Sequence, residues 1–285
     1  MLEGYHLQAK EIVKGALAED VGWGDITTEA LVPCELNARA SLVIKGHGVL
    51  AGIGVVSMVF EQVDAALDFK ALAYDGQNVR PGDLVATVEG MAGSILKAER
   101  VALNFMQRLS GIASETRRYV DAVESLTARI LDTRKTTPGL RFLEKYAVEM
   151  GGGCNHRMHL GDGVLIKDNH LSICHSLGMG LKEIVAQARQ NAPSSSRVEV
   201  EVITAEEAVE AVGAGADIVL LDNMNVEEIR RAVWMVGGHA QLEASGGITL
   251  DNVRAVAETG VDFISVGALT HSPMALDVSL NIDSP

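Results

Sequence analysis

Hydrophobic and polar positions alternate with a regular rhythm in the last third of the chain. Residues 198–202 read Val-Glu-Val-Glu-Val, the apolar–polar alternation of a strand. The run at 218–221 is continuously apolar, as in a parallel strand buried on both faces. Strands are predicted in all at 129–132, 164–166, 198–202, 217–221, 241–244 and 262–266.

A polar residue or a glycine closes each of the last four predicted strands. These residues are Glu201, Asp222, Ser245 and Gly267, and they follow one another at intervals of 21, 23 and 22 residues. Helix-start residues stand between the strands, at Thr204, Asn225 and Thr249. Strands that alternate with helices at this spacing indicate βα units and a parallel sheet, here a closed or nearly closed barrel. No GxGxxG motif follows any strand, which argues against a dinucleotide-binding sheet.

The first hundred residues have a different pattern. Strands are predicted at 38–44 and 84–88 and a helix at 54–63, which together suggest a separate α+β domain. A helical spacing of apolar residues then runs from Ile95 to Leu126, with a break expected near Gly111. We therefore place an N-terminal domain at 1–110 and a barrel at 111–271, with a tail at 272–285 that packs on the N-terminal domain.

The net charge narrows the partners that the chain can bind. With 24 basic and 38 acidic residues, the formal charge is −14, which would repel nucleic acids and anionic membranes. An anion site must therefore be a local cluster of cations. The stretch 130–170 supplies one, with six basic residues against five acidic ones. The six are Arg134, Lys135, Arg141, Lys145, Arg157 and Lys167.

Cysteine usage and hydropathy indicate a cytoplasmic protein. The three cysteines are widely spaced and include no CxxC pair, so they predict free thiols rather than disulfides or structural zinc. The notable uncharged run Gly48–Phe60 has 13 residues, short of the roughly 20 that span a bilayer. No secretory signal is expected at the N-terminus.

Two basic pairs stand where the βα loops of a barrel carry catalytic residues. Arg134 and Lys135 follow a predicted strand in the Thr-rich segment DTRKTTPGLR, and Arg offers a bidentate fork to carboxylates. A surface salt-bridge pair is the alternative interpretation. His156 and Arg157 follow Gly151–Gly153, where the backbone can approach a ligand closely. A histidine with only a packing role is the alternative there.

Lys167 ends the apolar run at 164–166. A lysine at a barrel strand end can form a Schiff base, or it can act as a fixed cation for a substrate carboxylate. The neighbouring cations favour the fixed cation. Simple pairing with Asp168 or another acid remains open.

Two carboxylates, Glu201 and Asp222, end consecutive strands. They can share Mg²⁺, which takes one or two carboxylates together with substrate phosphates. Ion pairing with adjacent cations is an equal alternative, and Glu199 on the same strand face is a competing candidate.

Two glycine turns close the last two strands and suggest a phosphate site. They are Ser245-Gly246-Gly247 and Val266-Gly267-Ala268. Barrels bind phosphates at this position through backbone N–H groups and a short helix. Glycine is also common in any tight turn, so each turn alone is weak evidence.

Several of these segments together resemble one enzyme family. They are EDVGWGDITT, ERVALNFMQRLSGIA, DTRKTTPGLR, GGGCNHRMHLGDGVLIKDNH, VEVEV, VLLDN, EASGGI and SVGALTHS, and they span nearly the whole chain. They closely resemble quinolinate phosphoribosyltransferase, also called carboxylating nicotinate-nucleotide pyrophosphorylase. The resemblance implies an α/β fold: an N-terminal α/β sandwich and an incomplete, seven-stranded, TIM-like parallel α/β barrel.

The resemblance also implies a reaction and roles for individual residues. The family transfers phosphoribose from phosphoribosyl pyrophosphate to quinolinate, with decarboxylation to nicotinate mononucleotide, and Mg²⁺ is the expected cofactor. Arg134, His156, Arg157 and Lys167 would hold the quinolinate carboxylates, with Thr133 beside them. Lys135 would reach the phosphates, Glu201 and Asp222 would lie near Mg²⁺-pyrophosphate and ribose, and the glycine turns would bind the 5-phosphate. The expected catalytic residues are Lys135, Lys167, Glu201 and Asp222.

The resemblance also implies an assembly, and three competing functions stay open. The family forms homodimers or higher oligomers with shared sites, and Arg100 resembles the arginine that reaches the partner's barrel. Nicotinate phosphoribosyltransferase is the nearest alternative, but the surplus of cations favours a dicarboxylate. A Schiff-base aldolase at Lys167 and a catalytically silent paralogue with a binding role are the others.

Overall fold

The computed structural model describes residues 6–283. The helices are α1 (His6–Val21), α2 (Ile26–Leu31), α3 (Ile53–Val63), α4 (Ala92–Ala122), α5 (Arg141–Met150), α6 (Asp168–Ser176), α7 (Leu181–Asn191), α8 (Ala205–Ala214), α9 (Val226–Val236), α10 (Val253–Ala257) and α11 (Ala268–His271). The strands are β1 (Asn37–Ile44), β2 (Gly48–Val49), β3 (Asp68–Ala71), β4 (Asn78–Val79), β5 (Leu84–Met91), β6 (Arg129–Leu131), β7 (Val164–Ile166), β8 (Val198–Val202), β9 (Ile218–Asp222), β10 (Gln241–Ser245), β11 (Phe263–Ser265) and β12 (Val278–Ile282). Within this range, none of the helices has the length and apolar character needed to cross a bilayer.

The chain divides into two compact units. Within the described residues, the first comprises 6–117, 136–152 and 269–283, and the second comprises 118–135 and 153–268. The first contains an antiparallel sheet in the order β12-β1-β5-β3. Its core side is set by alternate residues of β1, since Ala40, Leu42 and Ile44 are fully buried. The strands and helix predicted in this region are confirmed, and the last strand, β12, pairs with β1.

The break predicted at Gly111 is wrong, because α4 runs without interruption from Ala92 to Ala122. The glycine serves close chain packing. A Cβ placed there would lie 2.2 Å from the carbonyl oxygen of Met274. The local sequence predicts that Gly111 breaks the helix, but the close approach of Met274, which is distant in sequence, requires a residue without a side chain there.

The second unit contains a parallel sheet in the order β6-β11-β10-β9-β8-β7. All six predicted strands are present. In place of a further strand, the segment at Cys154 makes a single parallel bridge to Leu131 beside β6. Among the described residues the parallel sheet therefore has six strands where seven were predicted.

Two of the three helix starts predicted between these strands are confirmed. The side chain of Thr204 accepts a hydrogen bond from the N–H of Glu207, and Asn225 accepts one from Glu228, so α8 and α9 begin as predicted. The third start is wrong: α10 begins at Val253, four residues after Thr249. In register, Ser245 pairs with Asp222, which sets these two strand ends side by side.

Candidate active site

A pocket of about 330 Å³ lies at the carboxyl ends of the parallel strands, entirely within the second unit. Nine of the residues predicted from sequence line it: Thr133, Arg134, Lys135, His156, Arg157, Lys167, Glu201, Asp222 and Ser245. The strands supply them in chain order, so residues up to 112 positions apart in sequence line one pocket. The order of the strands therefore brings the basic residues 134, 135, 157 and 167 and the carboxylates of Glu201 and Asp222 into one pocket, and we call these its cationic side and its carboxylate side.

Lys167 and Glu201 form an ion pair at the carboxyl ends of β7 and β8. The Lys167 ammonium lies 2.5 Å from Glu201 Oε2, and the lysine side chain is 45% exposed. His170 Nδ1 accepts a hydrogen bond from the Lys167 backbone N–H at 3.0 Å. The structure therefore shows the pairing with an acid that the sequence left open, and the acid is Glu201 rather than Asp168.

Asp222 is held by the residue that follows it. Asn223 has a left-handed φ of 54°, which sets its side-chain N–H 2.8 Å from Asp222 Oδ2. The Asn223 backbone N–H donates to the carbonyl of Ser245 at 2.8 Å. Gly246, at φ 87°, leaves room for this carboxamide, because a Cβ there would lie 2.3 Å from Asn223 Oδ1. The first glycine turn therefore orients a carboxylate as well as opening the backbone.

Two arginines stand close together on the cationic side. Burial, and then the neighbouring Arg134 guanidinium, lower the pKa of Arg157 below its ordinary value. The Arg157 guanidinium donates to the carbonyl of Gly163 at 3.3 Å. Two guanidiniums that repel each other in a partly buried pocket favour a ligand with more than one negative charge.

His156 is hydrogen-bonded on every side. Its backbone N–H donates to Asp132 Oδ1 at 2.8 Å, and its Nδ1 accepts the backbone N–H of Arg157 at 2.7 Å. Its Nε2 lies 3.1 Å from Glu199 Oε2 and 3.5 Å from Glu243 Oε2. The imidazole therefore links the backbone of Arg157 to two carboxylates, of which Glu243 also lines the pocket.

Glu199 and Glu243 are both buried, at 5% and 2% exposure. They belong to β8 and β10, which are separated by β9, so the sheet curves enough to bring both side chains to one imidazole. Burial above all, and then the charge of Glu199, raise the pKa of Glu243 to about 7, while His156 acts in the opposite direction.

The remaining predicted residues lie elsewhere. Arg100 is exposed on α4, in the first unit. Gly246, Gly247 and the 266–268 turn are not part of the pocket lining. Val266 is buried, and its N–H donates to the carbonyl of Leu131, so it presents neither side chain nor amide to a ligand.

Sequence reasoning missed several lining residues: Asp132, Leu165, Leu220, Glu243 and Ser265. A signal for some of them exists in the strand alternation. Glu243 stands two residues before Ser245, and Ser265 two before Gly267, so each shares the face of a residue that was identified.

Comparisons with known proteins cover nearly the whole chain. The family model described as quinolinate phosphoribosyl transferase, N-terminal domain, matches residues 25–110, and the model for the C-terminal domain matches 112–281. A mitochondrial quinolinate phosphoribosyltransferase [decarboxylating] 2b of Nicotiana tabacum is 43% identical, over 96% of this chain and 82% of its own.

Solved structures agree with these matches. The nicotinate-nucleotide pyrophosphorylase from Francisella tularensis superposes with a TM-score of 0.90 at 39% identity, covering 97% of this chain and 96% of its own. A human nicotinic acid phosphoribosyltransferase has a TM-score of 0.59 at 13% identity, over 91% of this chain and 72% of its own. At that identity the likeness is one of fold alone.

Proposed function

The chain belongs to the quinolinate phosphoribosyltransferase family, and we propose that its pocket transfers the phosphoribosyl group of phosphoribosyl pyrophosphate to quinolinate. The products are nicotinate mononucleotide, pyrophosphate and carbon dioxide. The observation that carries this assignment is the convergence, in one pocket, of Arg134, Arg157 and Lys167 with the carboxylates Glu201 and Asp222. Cations that can bind a dicarboxylate therefore line the same pocket as two carboxylates that can bind the ribose and the metal ion of a sugar pyrophosphate.

On the cationic side, the quinolinate carboxylates would occupy the positions that the two guanidiniums and Lys167 surround. His156 and Thr133 complete this side, and Lys135 would reach the phosphates of the second substrate. Lys167 binds as a charge: an ammonium ion-paired with Glu201 is not a free amine for Schiff-base formation.

Catalysis by these residues would be mainly positioning and electrostatic stabilisation. Departure of pyrophosphate leaves oxocarbenium character on the ribose, which the carboxylates of Glu201 and Asp222 stabilise. The pyridine nitrogen attacks and becomes cationic. That positive ring then stabilises the electron pair left at C2 when the 2-carboxylate leaves as carbon dioxide. No protein nucleophile or general base is required.

The donor set fits the expected Mg²⁺. Asp222 and Glu201 provide hard oxygen ligands on neighbouring strands, and Mg²⁺ takes few protein ligands alongside substrate phosphates. When bound, the ion would neutralise charge on the departing pyrophosphate. The first glycine turn, at 245–247, and the backbone of 267–268 would bind the 5-phosphate.

The fold and assembly of the family extend this proposal. The segment at Cys154 would act as the seventh strand of an incomplete barrel, with the N-terminal sandwich ending near residue 110. In a homodimer, Arg100 would contribute to the partner subunit's site. Mixing Arg100→Ala with Arg134→Ala protein should then restore activity in hybrid dimers. No recovery under confirmed subunit exchange would refute the shared site.

The activity itself is tested with purified protein, phosphoribosyl pyrophosphate, and either quinolinate or nicotinate, with and without Mg²⁺. We expect Mg²⁺-dependent release of pyrophosphate and carbon dioxide in equal amounts from quinolinate. Turnover of nicotinate without carbon dioxide would assign the chain to the monocarboxylate reaction instead. No pyrophosphate with either acid would indicate a binding role.

A further inference from the structure

We infer that Asp132 is a positioning residue for the dicarboxylate of the proposed reaction. Its side chain accepts the hydrogen bond that would otherwise continue the pairing of β6, and this sets where His156 and Arg157 enter the pocket. The inference rests on the proposed function for the identity of the ligand. The hydrogen bond itself belongs to the protein without substrate.

The edge strand β6 begins to pair with the segment at Cys154 in the manner of a parallel strand. The Cys154 N–H donates to the Ile130 carbonyl at 2.8 Å, and the Asp132 N–H donates to the Cys154 carbonyl at 3.1 Å. These two bonds make the isolated bridge between Leu131 and Cys154. In a parallel ladder the next donor would be the His156 N–H, and its acceptor would be the backbone carbonyl of Asp132.

At this point the side chain of Asp132 acts as the acceptor in place of its backbone. The His156 N–H donates to Oδ1 of Asp132 at 2.8 Å, so the donor and the residue are those of the ladder but the acceptor is a carboxylate. This carboxylate reaches further from the backbone than the carbonyl of the same residue does. The chain at His156 is therefore held beside β6 without joining the sheet, and the side chains of His156 and Arg157 line the pocket.

Burial makes this hydrogen bond difficult to replace. Asp132 is fully buried. A backbone N–H removed from water needs an acceptor, and a buried carboxylate needs donors, so each group meets a requirement of the other. A hydrogen bond to a charged acceptor is also stronger than one between neutral groups. The backbone of His156 is thus fixed by a strong contact with a side chain that is itself enclosed by the protein.

Asp132 connects the two segments that carry the guanidiniums of the cationic side. Arg134 follows it by two residues on one segment, and Arg157 follows His156 on the other. The Arg157 N–H donates to Nδ1 of His156 at 2.7 Å, which ties the second arginine to the same point. The separation of the two guanidiniums therefore depends on the hydrogen bond between Asp132 and His156. Two carboxylates at fixed positions on a ring require cations at a fixed separation.

Position, rather than charge, explains a carboxylate in this place. Asp132 forms part of the lining of the pocket, and its negative charge opposes the binding of a dianion. The two effects can be separated experimentally. Asparagine keeps an oxygen acceptor in the same position and removes the charge, whereas alanine removes both.

These two replacements of Asp132 test the inference in the quinolinate assay. For Asp132→Ala we expect the quinolinate KM to rise about tenfold, with the KM for phosphoribosyl pyrophosphate little changed. Asp132→Asn should recover most of that increase. Asp121→Ala, at an exposed position, is the matched control and should keep the parent KM. Equal quinolinate KM values for the two Asp132 variants would overturn the inference, because the acceptor would then have no effect of its own.

A double-mutant cycle tests whether Asp132 acts through Arg157. In an Arg157→Ala background, Asp132→Ala should raise the quinolinate KM much less than it does in the parent. Additive effects would overturn the inference. If Asp132→Ala does not fold, Asp132→Glu replaces it, because glutamate keeps the charge and moves the acceptor by one methylene. A parent-like quinolinate KM in Asp132→Glu would contradict the positioning role.

Hydrogen exchange, followed by NMR of nitrogen-labelled protein, detects the contact without an assay of activity. The His156 amide should exchange slowly in the parent and in Asp132→Asn, and faster in Asp132→Ala, while the amides of β9 keep their parent rates. Fast exchange of the His156 amide in the parent would refute the contact and the inference with it. A protected amide in a parent enzyme that does not turn over quinolinate would instead mean that the proposed function has failed.

Discussion

Replacement of Glu243 by glutamine should change how the stability of the protein depends on pH. In the folded protein the pKa of this carboxyl rises from an ordinary 4.5 to about 7, chiefly because the side chain is buried. Below pH 4.5 both folded and unfolded chains hold the proton. Between 4.5 and 7 only the folded chain holds it, so the free energy of unfolding falls as pH rises.

The size of this fall follows from the pKa difference. At about 1.4 kcal/mol per pH unit, the full loss is about 3 kcal/mol, complete above pH 7. Glutamine cannot ionise, so the variant does not undergo this loss. Any fixed cost of the substitution applies at every pH, so relative to the parent the free energy of unfolding of Glu243→Gln should still increase by about 2.5 kcal/mol from about pH 5 to about pH 8.

Urea denaturation followed by circular dichroism at several pH values measures the difference directly. Parent, Glu243→Gln and the control Glu210→Gln are compared in the same buffers. Glu210 is exposed, so its variant should follow the parent curve. Parallel pH dependences of parent and Glu243→Gln would refute the raised pKa of Glu243.

Three further predictions concern other features. Glu144 is fully buried and accepts hydrogen bonds from Arg108 at 2.8 and 3.2 Å, so Glu144→Ala should lower the free energy of unfolding by about 3–5 kcal/mol in urea denaturation. Gly246→Ala should lower the rate of pyrophosphate release, because its Cβ would displace Asn223 and with it the Asp222 carboxylate that we propose acts in catalysis. Asn225→Ala removes the cap of α9 and should cost about 1 kcal/mol in thermal or urea unfolding.

Each of these has a matched comparison. Gly247→Ala meets no atom within 4 Å and should reduce pyrophosphate release less than Gly246→Ala, so equal losses would contradict the role given to Asn223. Adding Arg108→Ala to Glu144→Ala should cost less than the two single changes together, and simple additivity would show that the pair does not interact.

Local pattern predicted the parallel sheet well because its strands carry their signal in short runs. Val198–Val202 alternates, Ile218–Leu221 is continuously apolar, and a polar or glycine residue follows at a steady interval. The strand-end rule then located Arg134 and Lys167 at the pocket, since parallel strands end at one edge.

Features that depend on tertiary contacts did not follow from the sequence. Gly111 lies in mid-helix because Met274 packs against it, which helical periodicity does not show. Glu243 stands between Leu242 and Ala244 on β10, and the local pattern does not show that it and Glu199 both approach His156. The single bridge at Cys154 has no run of apolar residues to predict it.

The ion pair between Lys167 and Glu201 implies thermodynamic linkage between the two substrates. A pair whose lysine is 45% exposed is weak enough to be exchanged for a ligand. In the proposed reaction, a quinolinate carboxylate that paired with the ammonium would free the Glu201 carboxylate for the ribose and Mg²⁺. By reciprocity, Mg²⁺-phosphoribosyl pyrophosphate that engaged Glu201 would free Lys167 for quinolinate. Each substrate would thus replace the partner that the other removes from the ion pair, and we expect their binding to be mutually favourable.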